Sequence, residues 1–239
     1  MEQWPSPDYL PSVHGQRSIL MAVPLIETKG LKKYFHTHQG NLHAVDDINL
    51  VINRGETLGI VGESGCGKST LGRTILRLHH PTAGEIWYKG ENIVGYRRRE
   101  LKALRRDMQI IFQDPFSSLN PRMSVEDIIA DPMIVNRKFR TRREILSRVD
   151  ELMDIVGLAE RYASAYPHEL DGGRRQRIGI ARALALDPEF IVCDEPVSAL
   201  DVSIQAQILN LLMDLQRDLG LTYMFITHDL SVVRHISNN

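Results

Sequence analysis

The sequence predicts an α/β fold built on a mostly parallel β-sheet with helices on both faces. Three observations carry this. Short apolar strands alternate with segments of helical periodicity. A glycine-rich turn joins the first clear strand to a helix. Polar residues stand at the C-terminal ends of several apolar strands, the edge at which open α/β sheets bind their ligands.

The elements follow in order. "GETLGIVG" (Gly55 to Gly62) is a turn feeding a short apolar strand. "KSTLGRTILRLHH" (Lys68 to His80) places Leu71, Ile75 and Leu78 at helical spacing, and "PTAG" stops it. "EIWYKG" reads as an edge strand ending in a turn, and "YRRRELKALRR" (Tyr96 to Arg106) as a short basic helix. "DMQIIFQDP" is a strand ending at Gln113. "VEDIIADPM" and "RREILSRVDELMDIVGL" are helical, the second closing on Gly157. "EFIVCDEP" is a strand, "VSIQAQILNLLMDLQRDLG" a long amphipathic helix, and "LTYMFITHDL" another buried strand. The helical stretch between about Pro115 and Asp171 has the character of an inserted lobe.

With 239 residues the chain can bury one large core. Hydrophobic residues are 43% and charged residues 25%, the mix of a soluble globular protein. A formal net charge of −1 argues against a general nucleic-acid binder. No apolar run approaches the roughly 18–20 residues of a membrane span. The two cysteines, Cys66 and Cys193, are too few for a disulfide framework and read as small buried or semi-buried residues. None of the nine histidines has a zinc spacing; His36 and His38, and the pair His79–His80, read as solvated loop residues. Residues 1–23 are rich in proline and polar side chains and read as a disordered extension, not a signal peptide.

"GESGCGKS" matches G-x-x-x-x-G-K-[ST] at Gly62, Gly67, Lys68 and Ser69, between a strand and a helix. Such a match arises by chance on the order of once in a hundred chains of this length. The glycines let backbone N–H groups turn onto a phosphate, Lys68 adds charge for the β/γ oxygens, and the Ser69 hydroxyl suits Mg²⁺. Asp194 and Glu195 stand at the end of "FIVCDEP", where Asp194 would hold Mg²⁺ through water and Glu195 would polarise an attacking water. Gln113 after "QIIF" and His228 after "TYMFIT" should emerge on the same edge, Gln113 to complete the Mg²⁺ shell and His228 toward the γ-phosphate or the water.

"HELDGGRRQRIGIARAL" opens a basic helix with Gly172 and Gly173 behind Asp171. Two readings stand side by side: an anion site at the helix N-terminus, or a helix that Asp171 caps for itself. The basic runs "YRRRELKALRR" and "NRKFRTRRE" read as solvated helix faces, balanced by acidic residues elsewhere.

In that order, these motifs resemble the ATP-binding-cassette (ABC) ATPases, over roughly Pro24 to the C-terminus. "FQDPFSSLNPRMSV", "YPHEL", "DEPVSALDVSIQAQILNLL" and "GLTYMFITHDLSVV" are similar to the ATPase subunits of oligopeptide, dipeptide and nickel importers. The resemblance implies a P-loop NTPase core over 24–239, with an antiparallel β subdomain, a helical subdomain inserted at about 115–171, and truncation at the C-terminus. It implies that ATP is held by the Walker A residues Gly62, Glu63, Ser64, Gly65, Cys66, Gly67, Lys68, Ser69 and Thr70, with Phe35 stacking on adenine and Tyr34 as the near alternative. Mg²⁺ falls to Ser69, Gln113 and Asp194, and catalysis to Glu195 and the switch histidine His228. Asp171, Gly172 and Gly173 match the signature segment that meets the partner subunit's ATP, and Ser198 to Asp201 the D-loop.

The implied partners are a second ABC ATPase subunit, identical or different, transmembrane permease subunits and, indirectly, an extracytoplasmic solute-binding protein, with no nucleic acid. The implied location is the cytoplasmic face of the cell membrane. The sequence departs from the family's "LSGGQ" by "LDGGR", which leaves a regulatory or hydrolysis-impaired cassette as one alternative; a soluble, non-transport ABC protein is the other.

Overall fold

The computed structural model describes residues 23–38 and 40–236, and the expected extension over 1–23 lies outside them except for Val23. Two four-stranded sheets organise these residues. The first is antiparallel, in the order β2 (Gly40–Ile52), β1 (Ile26–Thr37), β4 (Ala83–Tyr88), β5 (Glu91–Asn92). The second is wholly parallel, in the order β3 (Thr57–Val61), β8 (Thr222–Thr227), β7 (Phe190–Asp194), β6 (Met108–Ile111). Strands β7 and β8 are buried at every position, as a central parallel strand with helices on both faces must be.

One side of the parallel sheet packs on α1 (Lys68–Ile75) and the antiparallel sheet, the other on α6 (Gly172–Leu184) and α7 (Val202–Leu219). The α7 stripe explains its burial: Ile208, Leu212 and Leu215 recur at helical spacing and face the sheet. Between β6 and α6 the secondary structure is entirely helical: α3 (Pro115–Ser118), α4 (Val125–Asn136), α5 (Arg142–Ile155) and two short 3₁₀ turns. Ser124 caps α4 by accepting the Asp127 N–H at 3.2 Å, and a Thr141–Glu144 capping box starts α5. The remaining helices are α2 (Arg98–Asp107) and α8 (Leu230–Ile236). No helix among the described residues is long and apolar enough to cross a membrane.

Several sequence expectations need correction. The edge strand is β5, and β4 lies inside the sheet between β1 and β5. Strand β6 stops at Ile111, two residues before Gln113, because Asp114 turns the chain out to cap α3 through the Phe116 N–H at 2.8 Å. The helix from Lys68 stops at Ile75. Beyond it Arg77 adopts a left-handed backbone and buries its guanidinium against the Ile93 and Val94 carbonyls at 3.1 and 2.8 Å. His36 lies on β1, not in a loop. Cys66 is exposed, while Cys193 is buried as expected.

At the N-terminal edge of the parallel sheet, Glu189 joins the sheets by pairing with both Arg54 and Lys89. Burial works against its ionisation, but the bonds from Lys89 and Arg54 outweigh this and hold its carboxyl below the usual glutamate range. A depressed folded-state value stabilises the fold above the unfolded value and is lost as pH falls through it. Glu189→Gln therefore lowers Tm at pH 7, and the gap to wild type closes below about pH 4. Thermal melts of both proteins across that range measure it.

Candidate active site

The C-terminal edge of the parallel sheet gathers the predicted residues. Residues 62–67 form the loop from β3 to α1, Asp194 ends β7 with Glu195 next, and His228 follows β8. Gln113 enters from beyond β6.

Two clusters meet at the Asp194–Glu195 dipeptide. In the first, the Ser69 hydroxyl donates to Asp194 Oδ1 at 2.6 Å, and Arg73 pairs with Asp194 Oδ2 at 3.2 Å. Asp194 is 1% exposed, and these two partners supply the hydrogen bonds that a buried carboxylate needs. Arg73 was missed by sequence reasoning, although it lies one helical turn beyond Ser69 and so on the same face. The Lys68 ammonium donates to the carbonyls of Gly62 and Glu63 at 2.8 and 2.7 Å, which folds the loop around it. In the second cluster, Gln113 Nε2 donates to Glu195 Oε2 at 3.2 Å, and His228 Nδ1 lies 3.2 Å from the same oxygen. Glu195 holds a left-handed backbone, φ 48°, yet its N–H still reaches the Ile226 carbonyl at 2.9 Å. That unfavourable conformation turns the carboxylate off the strand line and onto Gln113 and His228.

At Ser69 and Asp194 the donors are hydroxyl and carboxylate oxygens, which suit a hard divalent cation such as Mg²⁺ that keeps most of its shell as water and phosphate oxygen. Among the described residues no cluster of His, Cys, Asp and Glu could hold a metal alone. Gln113 keeps its amide on Glu195, not on Ser69 or Asp194. Cys193, directly before Asp194, is no nucleophile, since burial raises its thiol well above the ordinary range.

Beside the loop lies a cleft of about 300 Å³, lined by Phe35, Leu42, His43, Ala44 and residues 65–70. Phe35 reaches it and meets His79 edge-on, with ring centroids 5.6 Å apart. Burial, then the charges of Lys33 and Arg73, keeps His79 below the usual imidazole range, so this contact is neutral at pH 7. Tyr34 does not line the cleft; its hydroxyl donates to Asp46 at 2.5 Å and its ring stacks on His43, which does. A larger hollow of about 730 Å³, bordered by Asn210, Met213, Arg217 and His235, lies away from all these groups.

Asp171, Gly172 and Gly173 form no hydrogen bond to either cluster. Asp171 caps α6, with Oδ1 accepting the Arg174 N–H at 2.8 Å, and its other oxygen pairs with the Arg174 guanidinium. That guanidinium lies over the Tyr162 ring, 4.8 Å from its centroid. Gly173 has a packing reason as well, since a Cβ there would sit 2.7 Å from Ile204 Cγ2 on α7.

Comparisons with known proteins identify the family. Residues 45–198 match the family model described as ABC transporter. The chain is 57% identical to the oligopeptide transport ATP-binding protein OppF of Bacillus subtilis, over 91% of this chain and 72% of that one. It is 50% identical to the dipeptide transport ATP-binding protein DppF of Haemophilus influenzae, over 90% of this chain and 67% of that one. Among solved structures, a dimeric post-hydrolysis state of the ATP-binding cassette MJ0796 with ADP and Pi superposes with a TM-score of 0.79 at 34% identity, covering 88% and 90% of the two chains. The cassette cbiO1 of Clostridium perfringens gives a TM-score of 0.79 at 30% identity, covering 90% and 82%. On these matches the chain belongs to the ABC transporter family and is an ABC-type ATPase.

Proposed function

We propose that this ATPase powers the import of peptides or a related small solute, working at the cytoplasmic face of a membrane through permease subunits. The observation that carries the chemistry is the convergence of Gln113 and His228 on one oxygen of Glu195, beside the Ser69–Asp194 pair. The peptide assignment rests on the relatives' names. Lys68 and the backbone N–H groups of residues 62–70 receive the β- and γ-phosphates, and Phe35 stacks on the base. Glu195 Oε2 takes a proton from the attacking water, and His228 and Gln113 hold that carboxylate in line. Mg²⁺, when bound through Ser69 and Asp194, would neutralise charge on the phosphate oxygens.

The helical segment after β6 is the proposed inserted subdomain. With the chain around Gln113 it would transmit closure of a cassette dimer to the permease, and an extracytoplasmic binding protein would deliver the solute. Co-expression with candidate permease subunits tests this reading. Co-purification with them and ATP-dependent peptide uptake into vesicles support it; capture on ribosomes or DNA instead would overturn it.

The alternative of a cassette whose signature segment grips the partner's nucleotide weakly is not favoured by the relatives, and Asp171 at the start of α6 gives it a direct test. Asp171 puts a carboxylate where a phosphate would come, and like charges ~4 Å apart repel by about 4 kcal/mol at an effective dielectric of ~20. Arg174 offsets much of that. Asp171→Ser, assayed as the assembled dimer, is expected to raise turnover by up to about tenfold, as ~1.4 kcal/mol would. An unchanged rate would show that Arg174 neutralises the carboxylate completely.

A further inference from the structure

The fold joins the two basic runs that sequence reasoning left as separate solvated faces. Helix α2 lies against the C-terminal end of α4, where Lys102 Nζ donates to the Val135 carbonyl at 3.4 Å and Arg106 Nη2 to the Asn136 carbonyl at 2.8 Å. Cations at a helix C-terminus are favourable, so this contact is a stable join. It places the six cations between Arg97 and Arg106 beside Arg137, Arg140, Arg142 and Arg143, and all ten are exposed.

The carboxylates within these runs do not neutralise them. Glu100 accepts the Arg97 N–H at 2.7 Å, and Glu144 accepts the Arg140 and Thr141 N–H groups at 2.9 and 3.0 Å, so both are turned onto helix starts. Asp187, which lies close by, is taken by Lys138 and Arg148. Further carboxylates border the runs: Asp131 on α4, Glu91, which accepts from the Tyr96 hydroxyl, and Asp107 at the end of α2, which accepts from the Tyr88 hydroxyl. Among the described residues none of the ten cations forms an ion pair with a carboxylate. At the join itself, Ile134 and Val135 are 56% and 59% exposed, on the last turn of a helix whose other large apolar residues are buried.

We propose that this face docks on an anionic phospholipid surface, its cations meeting headgroup phosphates while Ile134 and Val135 enter the interfacial layer. Charge complementarity selects an anionic surface, and an exposed aliphatic pair among cations is the composition of an interfacial anchor. Single-stranded nucleic acid fits less well. It is bound by stacking on exposed aromatics, whereas Phe139 packs on the helical core and Tyr96 bonds Glu91 at 2.6 Å. The proposal does not rest on the peptide-import reading.

Flotation of the purified chain with vesicles tests it. The chain is expected to float with phosphatidylcholine vesicles carrying about 30% phosphatidylglycerol at low salt, and at least about tenfold less in ~0.5 M salt. The quadruple variant R99E/R105E/R140E/R143E should lose flotation, and I134S/V135S should lower it several-fold. These six positions lie outside the ATP site, so phosphate release by both variants should match wild type and shows that they are folded. No flotation with anionic vesicles, equal flotation with pure phosphatidylcholine, or displacement from vesicles by stoichiometric homopolymeric RNA would overturn the proposal. A chain that floats but fails to import peptide would leave this inference standing and sink the other.

Discussion

Glu195→Gln is expected to lower ATP turnover at least about a hundredfold while nucleotide affinity stays near wild type. A positioned general base contributes roughly 10²–10⁴ in rate, and the amide replaces the carboxylate without changing its shape. The carbonyl oxygen of the introduced amide can still accept from Gln113, and Lys68, Ser69 and Asp194 are untouched, so the groups proposed to hold the phosphates remain. Phosphate release and equilibrium binding of a fluorescent ATP analogue, measured on the same preparation, separate the two quantities. Turnover at the wild-type rate would remove Glu195 from the role of base. The same assay on His228→Ala distinguishes a base from its supports, since His228 is 56% exposed and only shares the Glu195 oxygen. A supporting residue moves the rate less than the group it supports.

Gly67→Ala is expected to abolish nucleotide binding and to lower stability by about 3 kcal/mol or more, from two causes that act together. Gly67 has φ 98°, a conformation that L-residues rarely adopt. An added Cβ would also sit 2.0 Å from the Ala44 carbonyl oxygen on β2, which is backbone and has no rotamer by which to yield. Relief requires the loop to leave β2, and with it the cleft lined by Phe35, His43 and Ala44. Thermal melts and analogue binding read the two effects. A variant that melts and binds like wild type would show that the loop does not need this close approach.

Residues that carry a local signature were legible in the sequence. The β3–loop–α1 unit, the buried strands β7 and β8, and the four polar residues beyond the strand ends all follow from apolar runs and their flanks. The antiparallel sheet was read only through family resemblance. β1 and β2 pair over long, half-exposed strands with several register shifts, which blurs their alternation. The choice between Phe35 and Tyr34 hung on strand phase, which a bulged strand does not reveal. Asp171 carried both of its readings in the sequence, and only coordinates show that its carboxylate is already shared between the Arg174 N–H and guanidinium. The meeting of the two basic runs was illegible for a simpler reason: about thirty residues separate their ends, and only tertiary packing joins them.

The tight seam between α6 and α7 has a mechanical consequence. Ser198 Oγ donates to the Glu195 carbonyl at 3.1 Å, Leu200 two residues on lies 3.1 Å from where a Gly172 Cβ would stand, and Ile204 presses on Gly173. One hydrogen bond and two close packings that leave no room for a side chain thus link the backbone of Glu195 to the first turn of α6. A displacement of Glu195 would therefore reach Gly172 and Gly173 and, beside them, the exposed Asp171 and Arg174, where a neighbouring molecule would feel it as a change of shape.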